Sequence, residues 1–273
     1  MPNLVSHGVD IFYRDEGEGI PIILGHSSTG SSGQWRQLID RLSERYRLLA
    51  PDHLGYGRTG AYPGEAPMFD LEISIIEKLV DLAGTPVHLI GHSFGGAIMA
   101  RTAVRMPNRI RSLSLIEPTL FHLLRPAGRI AEHTEIKSVA DQVIQNVDAG
   151  DPQEAARGFI DYWIAKDAYD TMDERLRNAV SAGMPKLRVE WLAAFDAWGA
   201  TLEALKNLSV PIQLIRATDT TSAASAVIDV LREIWPMARH TDVEGAGHMS
   251  PLTHSGIVNS ILEEFLDQNS VGT

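Results

Sequence analysis

Residues 91–95 read Gly-His-Ser-Phe-Gly and separate two segments of different periodicity. The residues before them, 85–90, form a short apolar run that indicates a buried strand. Those after them carry apolar residues at helical spacing from Ala97 and stop before Pro107, which predicts a helix. Glycines in a strand-to-helix turn permit a tight backbone that lifts a serine hydroxyl clear of the sheet. Free N–H groups at the helix start favour developing negative charge there. We therefore predict that Ser93 is a nucleophile.

This combination of strand, glycine turn and helix resembles the nucleophile elbow of the α/β-hydrolase family. The resemblance covers nearly the whole chain outside one central region and favours the serine esterase and lactonase branch. It implies an α/β fold with a mostly parallel eight-stranded sheet, helices on both faces and an inserted helical cap. We expect residues 1–119 and 206–273 to form the core. We expect residues 120–205 to form the cap, because the alternation of strands and helices breaks there.

A glycine-rich loop, residues 26–35, follows a short apolar strand. In the family this loop usually reads His-Gly-x-x-Gly, and here Ser27 stands in place of the first glycine. The resemblance implies that the loop and the residue after the nucleophile each offer a backbone N–H to an oxyanion, and the matching positions are Ser28 and Phe94. Because both donors are main-chain groups, the serine weakens the match in backbone geometry without removing a donor. A purely structural loop is the alternative.

A serine hydroxyl needs an adjacent base that is itself oriented by a third group. The chain has ten histidines. The family carries its catalytic histidine in a loop after the last strand, and here that loop contains His248 between glycines. The resemblance therefore implies that His248 is the general base, with a solvated loop histidine as the alternative.

The acid of the expected triad has two candidates. The commoner family position lies after the penultimate strand, where this chain has Asp219, but a gapless match puts Thr220 at the acid position. Glu117 ends the strand that follows the elbow helix, and some family branches carry a catalytic glutamate there. A charged glutamate at the end of an apolar strand needs a partner, and an imidazolium would be one. We favour Glu117 and keep Asp219 as the alternative acid, with a structural ion pair open for either.

The central region contains Trp163, Trp191 and Trp198, three of the five tryptophans in the chain. Trp191 and Trp198 share one face of a predicted helix. Such an aromatic stripe more often fills the interior of a cap than lines a substrate pocket, and both interpretations stay open. These three tryptophans and His26 are the candidate substrate-binding residues.

Composition limits the partners and cofactors. The net charge of −11 argues against binding to nucleic acid or to an anionic membrane. The absence of cysteine excludes disulfides and thiolate metal sites, and no motif indicates a metal. Gly55, Gly57 and Gly60 fit a nucleotide-binding pattern, but no helix can begin directly after them, so we expect no cofactor. We expect a cytoplasmic protein whose partner is a small-molecule substrate, and a homodimer stays open.

These features predict a serine hydrolase that cleaves a small to medium, largely apolar ester, thioester or lactone through an acyl-enzyme on Ser93. Two alternatives remain at this point. Family relatives with the same serine machinery cleave carbon–carbon bonds in β-diketone-like substrates. A binding protein with this fold and little turnover is the other alternative, since fold does not fix function.

Overall fold

The computed structural model describes residues 4–64 and 67–270. Within these ranges the chain forms nine strands: β1 (Leu4–Ser6), β2 (Val9–Ile11), β3 (Tyr13–Glu16), β4 (Ile20–Gly25), β5 (Tyr46–Pro51), β6 (Val87–His92), β7 (Ile110–Ile116), β8 (Ile212–Ala217) and β9 (Arg239–Val243). Strands β3 to β9 form one sheet in the spatial order β3-β5-β4-β6-β7-β8-β9. The pairing of β3 with β5 is antiparallel and the other pairings are parallel. Strands β4, β6 and β7 are apolar runs because helices cover both faces of a parallel sheet.

The sheet of the described residues has seven strands, which corrects the expected count of eight. The N-terminal segment is interrupted at Phe12, between β2 and β3. Strand β2 turns back onto β1 and forms a separate antiparallel hairpin, whereas β3 continues along β5. Only the second half of this segment therefore reaches the sheet.

The described residues form eleven α-helices: α1 (Arg36–Leu42), α2 (Met68–Ala83), α3 (Phe94–Arg105), α4 (Ile130–Asp148), α5 (Pro152–Trp163), α6 (Ala168–Thr171), α7 (Glu174–Ala193), α8 (Leu202–Lys206), α9 (Ser222–Ile234), α10 (Ser250–Thr253) and α11 (Ser255–Ser270). Short 3₁₀ helices cover Ser32–Trp35, Pro107–Arg109 and Phe121–Leu123. Apolar residues of α1 and α11 pack on one face of the sheet, and those of α2, α3 and α9 pack on the other. This is the two-sided α/β arrangement that the sequence predicts.

Helices α4 to α8 lie between β7 and β8 in the chain, and we call them the helical insertion. Their buried side chains, such as Phe159 and Leu187, belong to the same apolar cluster as Ile98 of α3. The last of these helices, α8, runs across the boundary expected at residue 205. The division into a core and a cap at residues 120–205 therefore stays a prediction, while the packing shows one continuous apolar interior on this side of the sheet.

Candidate active site

Ser93 lies in the turn between β6 and α3 with backbone angles of φ 55° and ψ −120°. A positive φ is unfavourable for a residue with a Cβ, so the surrounding structure must hold it. The Ser93 N–H donates to the Ile116 carbonyl at 2.9 Å. A Cβ on Gly95 would lie 2.3 Å from the Gly25 carbonyl, and one on Gly91 would lie 2.6 Å from the Gly95 oxygen. The glycines thus allow close packing, while the serine itself takes the strained conformation.

The structure brings together Ser93, His248 and Glu117 from three separate parts of the chain. His248 Nε2 lies 3.0 Å from Ser93 Oγ, and His248 Nδ1 lies 2.7 Å from Glu117 Oε2. All three side chains are buried. An ionised carboxylate can only accept hydrogen bonds, so the Nδ1–H group of His248 donates to Glu117. The lone pair of His248 Nε2 then faces the serine hydroxyl. This arrangement can remove the serine proton and stabilise the imidazolium that results.

Of the two candidate acids, Glu117 is the one beside His248. Its carboxylate also accepts from the Ala217 N–H and from the Thr220 hydroxyl, each at 2.8 Å. Asp219 is exposed, and its carboxylate accepts from the Thr218 hydroxyl at 3.3 Å. The structure therefore does not place the alternative acid near the histidine. Thr220, at the position where the family more often has its acid, supports the Glu117 carboxylate instead.

The two main-chain groups expected to receive an oxyanion, the N–H groups of Ser28 and Phe94, have no acceptor among the described residues. Phe94 is the first residue of α3, where an N–H has no partner within the helix. Both residues line a cavity that also contains Ser93. Ser27, in place of the usual glycine, donates its N–H and its hydroxyl to Gln34 Oε1, at 3.1 and 3.0 Å. Ser27 thus holds the loop through Gln34, and the N–H of the next residue, Ser28, is left without an acceptor in the described part of the chain.

Trp163 and Trp191 line this cavity, and their assignment as substrate-binding residues stays a prediction. The ring of Trp163 lies over His248, with 4.1 Å between the ring centroids. His26 does not line the cavities at Ser93, so its expected contact with the substrate does not fit its position. It is fully buried, its Nδ1–H donates to the Ser27 carbonyl at 2.7 Å, and its Nε2 accepts from the His53 N–H at 3.0 Å. Its place in the structure is to hold the loop.

Trp198 does not line the cavity either, and the expectation that it shares one helix face with Trp191 is wrong. Helix α7 ends at Ala193, so Trp198 belongs to the segment after it, where its φ is 45°. Its ring packs 6.2 Å from that of Phe69, and its Nε1–H donates to the Ala193 carbonyl at 3.0 Å. It closes the end of the helix.

His92, next to the serine, has a role that the sequence reasoning missed. It is fully buried, and burial lowers its pKa well below the usual range, so the ring is neutral. Its Nε2–H donates to the backbone carbonyl of His248 at 2.9 Å. This contact fixes the loop that carries His248. Its position in the elbow gives no signal of this role, because the contact joins two loops that are far apart in sequence.

A buried ion cluster adjoins the cavity and was also missed. Lys186 Nζ lies 3.0 Å from Glu72 Oε1 and 2.9 Å from Glu190 Oε1, and Glu190 Oε2 accepts from the Ser28 hydroxyl at 2.6 Å. Burial lowers the pKa of Lys186, but the two carboxylates outweigh burial and raise it. Burial likewise raises the pKa of Glu72, but Lys186 and His53 bring it below its usual value. Lys186 and Glu72 are therefore both charged at neutral pH, and the cluster connects the helical insertion to α2 and to the loop of Ser28.

In the ranges 4–64 and 67–270, no group of three or more His, Asp or Glu side chains is arranged to hold a metal ion. No helix in the same ranges is long and apolar enough to cross a membrane.

The model of the alpha/beta hydrolase family matches residues 20–259. The chain belongs to this family. The hydrolase is 26% identical to a protein of Azorhizobium caulinodans provisionally named carbamate hydrolase RutD, and the match covers 97% of this chain and 98% of that protein.

Two solved structures show the same fold as the hydrolase. The enol-lactonase from Burkholderia xenovorans LB400 matches with a TM-score of 0.75 and 19% identity, over 97% of this chain and 100% of that one. The meta-cleavage product hydrolase CumD from Pseudomonas fluorescens IP01 matches with a TM-score of 0.72 and 22% identity, over 98% of each chain. The relatives thus act on different substrates, so the family fixes the enzyme class and leaves the substrate open.

Proposed function

We propose that this hydrolase cleaves a small to medium, largely apolar ester, thioester or lactone through an acyl-enzyme on Ser93. The observation that carries the proposal is the chain of contacts from Ser93 Oγ to His248 Nε2 and from His248 Nδ1 to Glu117, at 3.0 and 2.7 Å. A serine within hydrogen-bond reach of an oriented imidazole is the arrangement that activates a hydroxyl for attack.

In the proposed first step, His248 takes the proton of the Ser93 hydroxyl as Oγ bonds to the substrate carbonyl carbon. The N–H groups of Ser28 and Phe94 receive the oxyanion, and the start of α3 adds favourable potential. His248 then gives the proton to the leaving alcohol, thiol or ring oxygen, which breaks the acyl bond. Water then attacks the acyl carbon as His248 takes its proton, the bond from the acyl carbon to Ser93 Oγ breaks, and His248 returns the proton to Oγ as the acid leaves. Glu117 holds the tautomer of the ring throughout.

The lining of the cavity supports an apolar substrate. Its aromatic members are Phe69, Phe94, Phe121, Phe159, Trp163 and Trp191. Such walls favour apolar groups, while the polar groups at the reacting centre fix orientation.

An organophosphonate probe tests the nucleophile. We expect labelling of the wild-type protein at one site, Ser93, and no labelling of the Ser93→Ala variant, measured by intact-protein and peptide mass spectrometry. Hydrolysis of p-nitrophenyl acetate should be lost in the same variant. The Asp219→Asn variant, altered at an exposed position near the site, is the control and should label like the wild type.

A folded wild-type protein that neither reacts with the probe nor turns over esters would contradict the proposal and favour the binding protein. A screen of esters, lactones and β-diketones then separates the remaining alternatives. If the enzyme turns over only diketones, the proposed ester cleavage is wrong and carbon–carbon bond cleavage is the function.

A further inference from the structure

Three cavities follow one another from the inside of the site to the surface. The innermost, next to Ser93 and Glu190, has a volume of about 20 Å³, enough for a water molecule. A second, of about 60 Å³, contains Ser93 and His248 and shares Phe159 and Trp163 with the first. The third is a groove of about 770 Å³ that shares Ile160, Ile164 and Met249 with the second. The space at the reacting serine thus adjoins the groove, which lies between the helical insertion and the core.

Exposed apolar side chains from separate elements converge on this groove. Ile164 follows α5, Leu176 lies in α7 and Leu252 lies in α10, and their exposed fractions are 50%, 47% and 50%. Large apolar side chains that come together at the surface mark a binding surface more often than scattered ones do. Here they border a space that leads to the reacting serine.

The groove is also uncharged. Among the residues that the structure describes, none that lines it is Asp, Glu, Lys or Arg, although the chain carries a net charge of −11. A charged ligand would find no oppositely charged side chain among these lining residues. An alkyl chain would bury its surface against the three apolar side chains and Val180 without leaving a charge unpaired.

We propose that this groove binds a linear, uncharged alkyl chain that forms the larger half of the substrate. The smaller half enters the inner cavity, whose volume admits only a short group unless its aromatic walls move. The hydrolase therefore selects substrates that are short on one side of the scissile bond and long and apolar on the other. This inference rests on the proposed ester hydrolysis and specifies its substrate class.

Chain-length series test the inference, one on each side of the ester bond. One series runs from ethyl acetate to ethyl decanoate and lengthens the acyl side, and the other runs from ethyl acetate to decyl acetate and lengthens the alcohol side. In one of the two series kcat/KM should rise about fourfold with each added methylene, the fold-change that corresponds to burial of one methylene. A series that stays flat or falls with length on both sides overturns the proposal.

Ala182→Trp, in α7, fills the groove, and Leu176→Ser makes its wall polar. Both variants should lower kcat/KM for the long ester that the wild type prefers by a much larger factor than kcat/KM for ethyl acetate. Leu192→Trp is the matched control, since Leu192 is 53% exposed on the same helix and does not line the groove. Equal effects of Ala182→Trp and Leu176→Ser on short and long substrates would contradict the assignment.

Binding of 1-octanol to the Ser93→Ala variant gives a readout that does not need turnover. Calorimetry should detect binding, and Ala182→Trp added to Ser93→Ala should abolish it. If octanol binds in this way while the wild type hydrolyses no ester, the proposed reaction is wrong and the groove assignment stands. If esters are hydrolysed but octanol does not bind, the groove assignment is wrong and the reaction stands.

Discussion

The Glu117 carboxylate is held by a backbone N–H from Ala217 and a hydroxyl from Thr220 before it meets His248. Its backbone has a φ of 41°, which is unfavourable for a residue with a side chain. Strained residues persist where the surrounding structure fixes them, often at functional sites. The fixed carboxylate can therefore select one tautomer of the imidazole, which an exposed and loosely held carboxylate such as Asp219 could not do.

Glu117→Gln should lower kcat by about ten-thousand-fold, as expected when a triad acid becomes an amide and the tautomer of the histidine is no longer fixed. Asp219→Asn should change kcat by less than about threefold, because its side chain is exposed and does not reach the ring. Both are measured on p-nitrophenyl acetate. A loss of activity in Asp219→Asn with retained activity in Glu117→Gln would reverse the assignment.

At the scale of single elements, α7 carries the contacts that hold the helical insertion over the site. Lys186 and Glu190 are one turn apart on its inner side, and they meet Glu72 of α2 and Ser28 of the loop. Arg188 lies between them in sequence but faces outward and pairs with Asp148 of α4. The same helix therefore carries a buried and an exposed ion pair, which are expected to differ in their effect on stability.

Lys186→Met should lower the free energy of unfolding by about 3–5 kcal/mol, because it leaves two buried carboxylates without their cation. Arg188→Gln is the matched control and should lower it by about 0–1 kcal/mol, since its ion pair is exposed to solvent. Urea denaturation at neutral pH measures both. Equal stability of the two variants would show that the buried cluster does not hold the helix.

Local patterns of glycines and apolar residues predicted the parallel sheet and the elbow, and the resemblance to the family implied the position of His248. The sequence favoured Glu117 as acid from its place at the end of a buried strand, and the structure puts that residue at the ring. Lys186 and Glu190 were missed because a lysine and a glutamate four residues apart look like an exposed helical pair. Trp198 was misplaced because periodicity continued past the end of α7 at Ala193. The first miss concerns a tertiary contact that no local pattern encodes, and the second concerns the end of a helix, which the periodicity of apolar residues alone does not mark.

At the scale of the whole molecule, buried histidines make the free energy of unfolding depend on pH. His26, His88, His92 and His122 are buried, and burial lowers their pKa values. The pKa of His88 falls to about 3 and that of His122 to about 4. In the unfolded chain each titrates near 6.5, so below that pH the unfolded state binds more protons than the folded state.

The free energy of unfolding should therefore decrease as the pH falls below about 6.5, with the window extending down toward the folded pKa values of about 3 to 4. His88 and His122, whose folded pKa values are about 3 and about 4, each contribute about 1.4 kcal/mol between about pH 7.5 and about pH 5.5, and His26 and His92 add to the loss in the same direction. Urea denaturation at both pH values measures the loss. Gln at position 88 does not titrate, so in the His88→Gln variant the free energy of unfolding should fall by about 1.4 kcal/mol less between the two pH values than in the wild type. The same fall in the variant as in the wild type would contradict the role assigned to His88.

Trp163, at the end of α5, places its ring over the imidazole of His248. Glu117 contacts Nδ1 of that imidazole, and Ser93 contacts Nε2. A positive charge on the imidazole would meet the electron-rich face of the indole, which is an attractive interaction. Exchanging the insertion for that of a relative, in order to change substrate preference, would therefore also remove an aromatic neighbour of His248, the proposed general base. Chimaeras of this kind should differ in turnover as well as in selectivity, so the two properties cannot be engineered separately through this part of the chain.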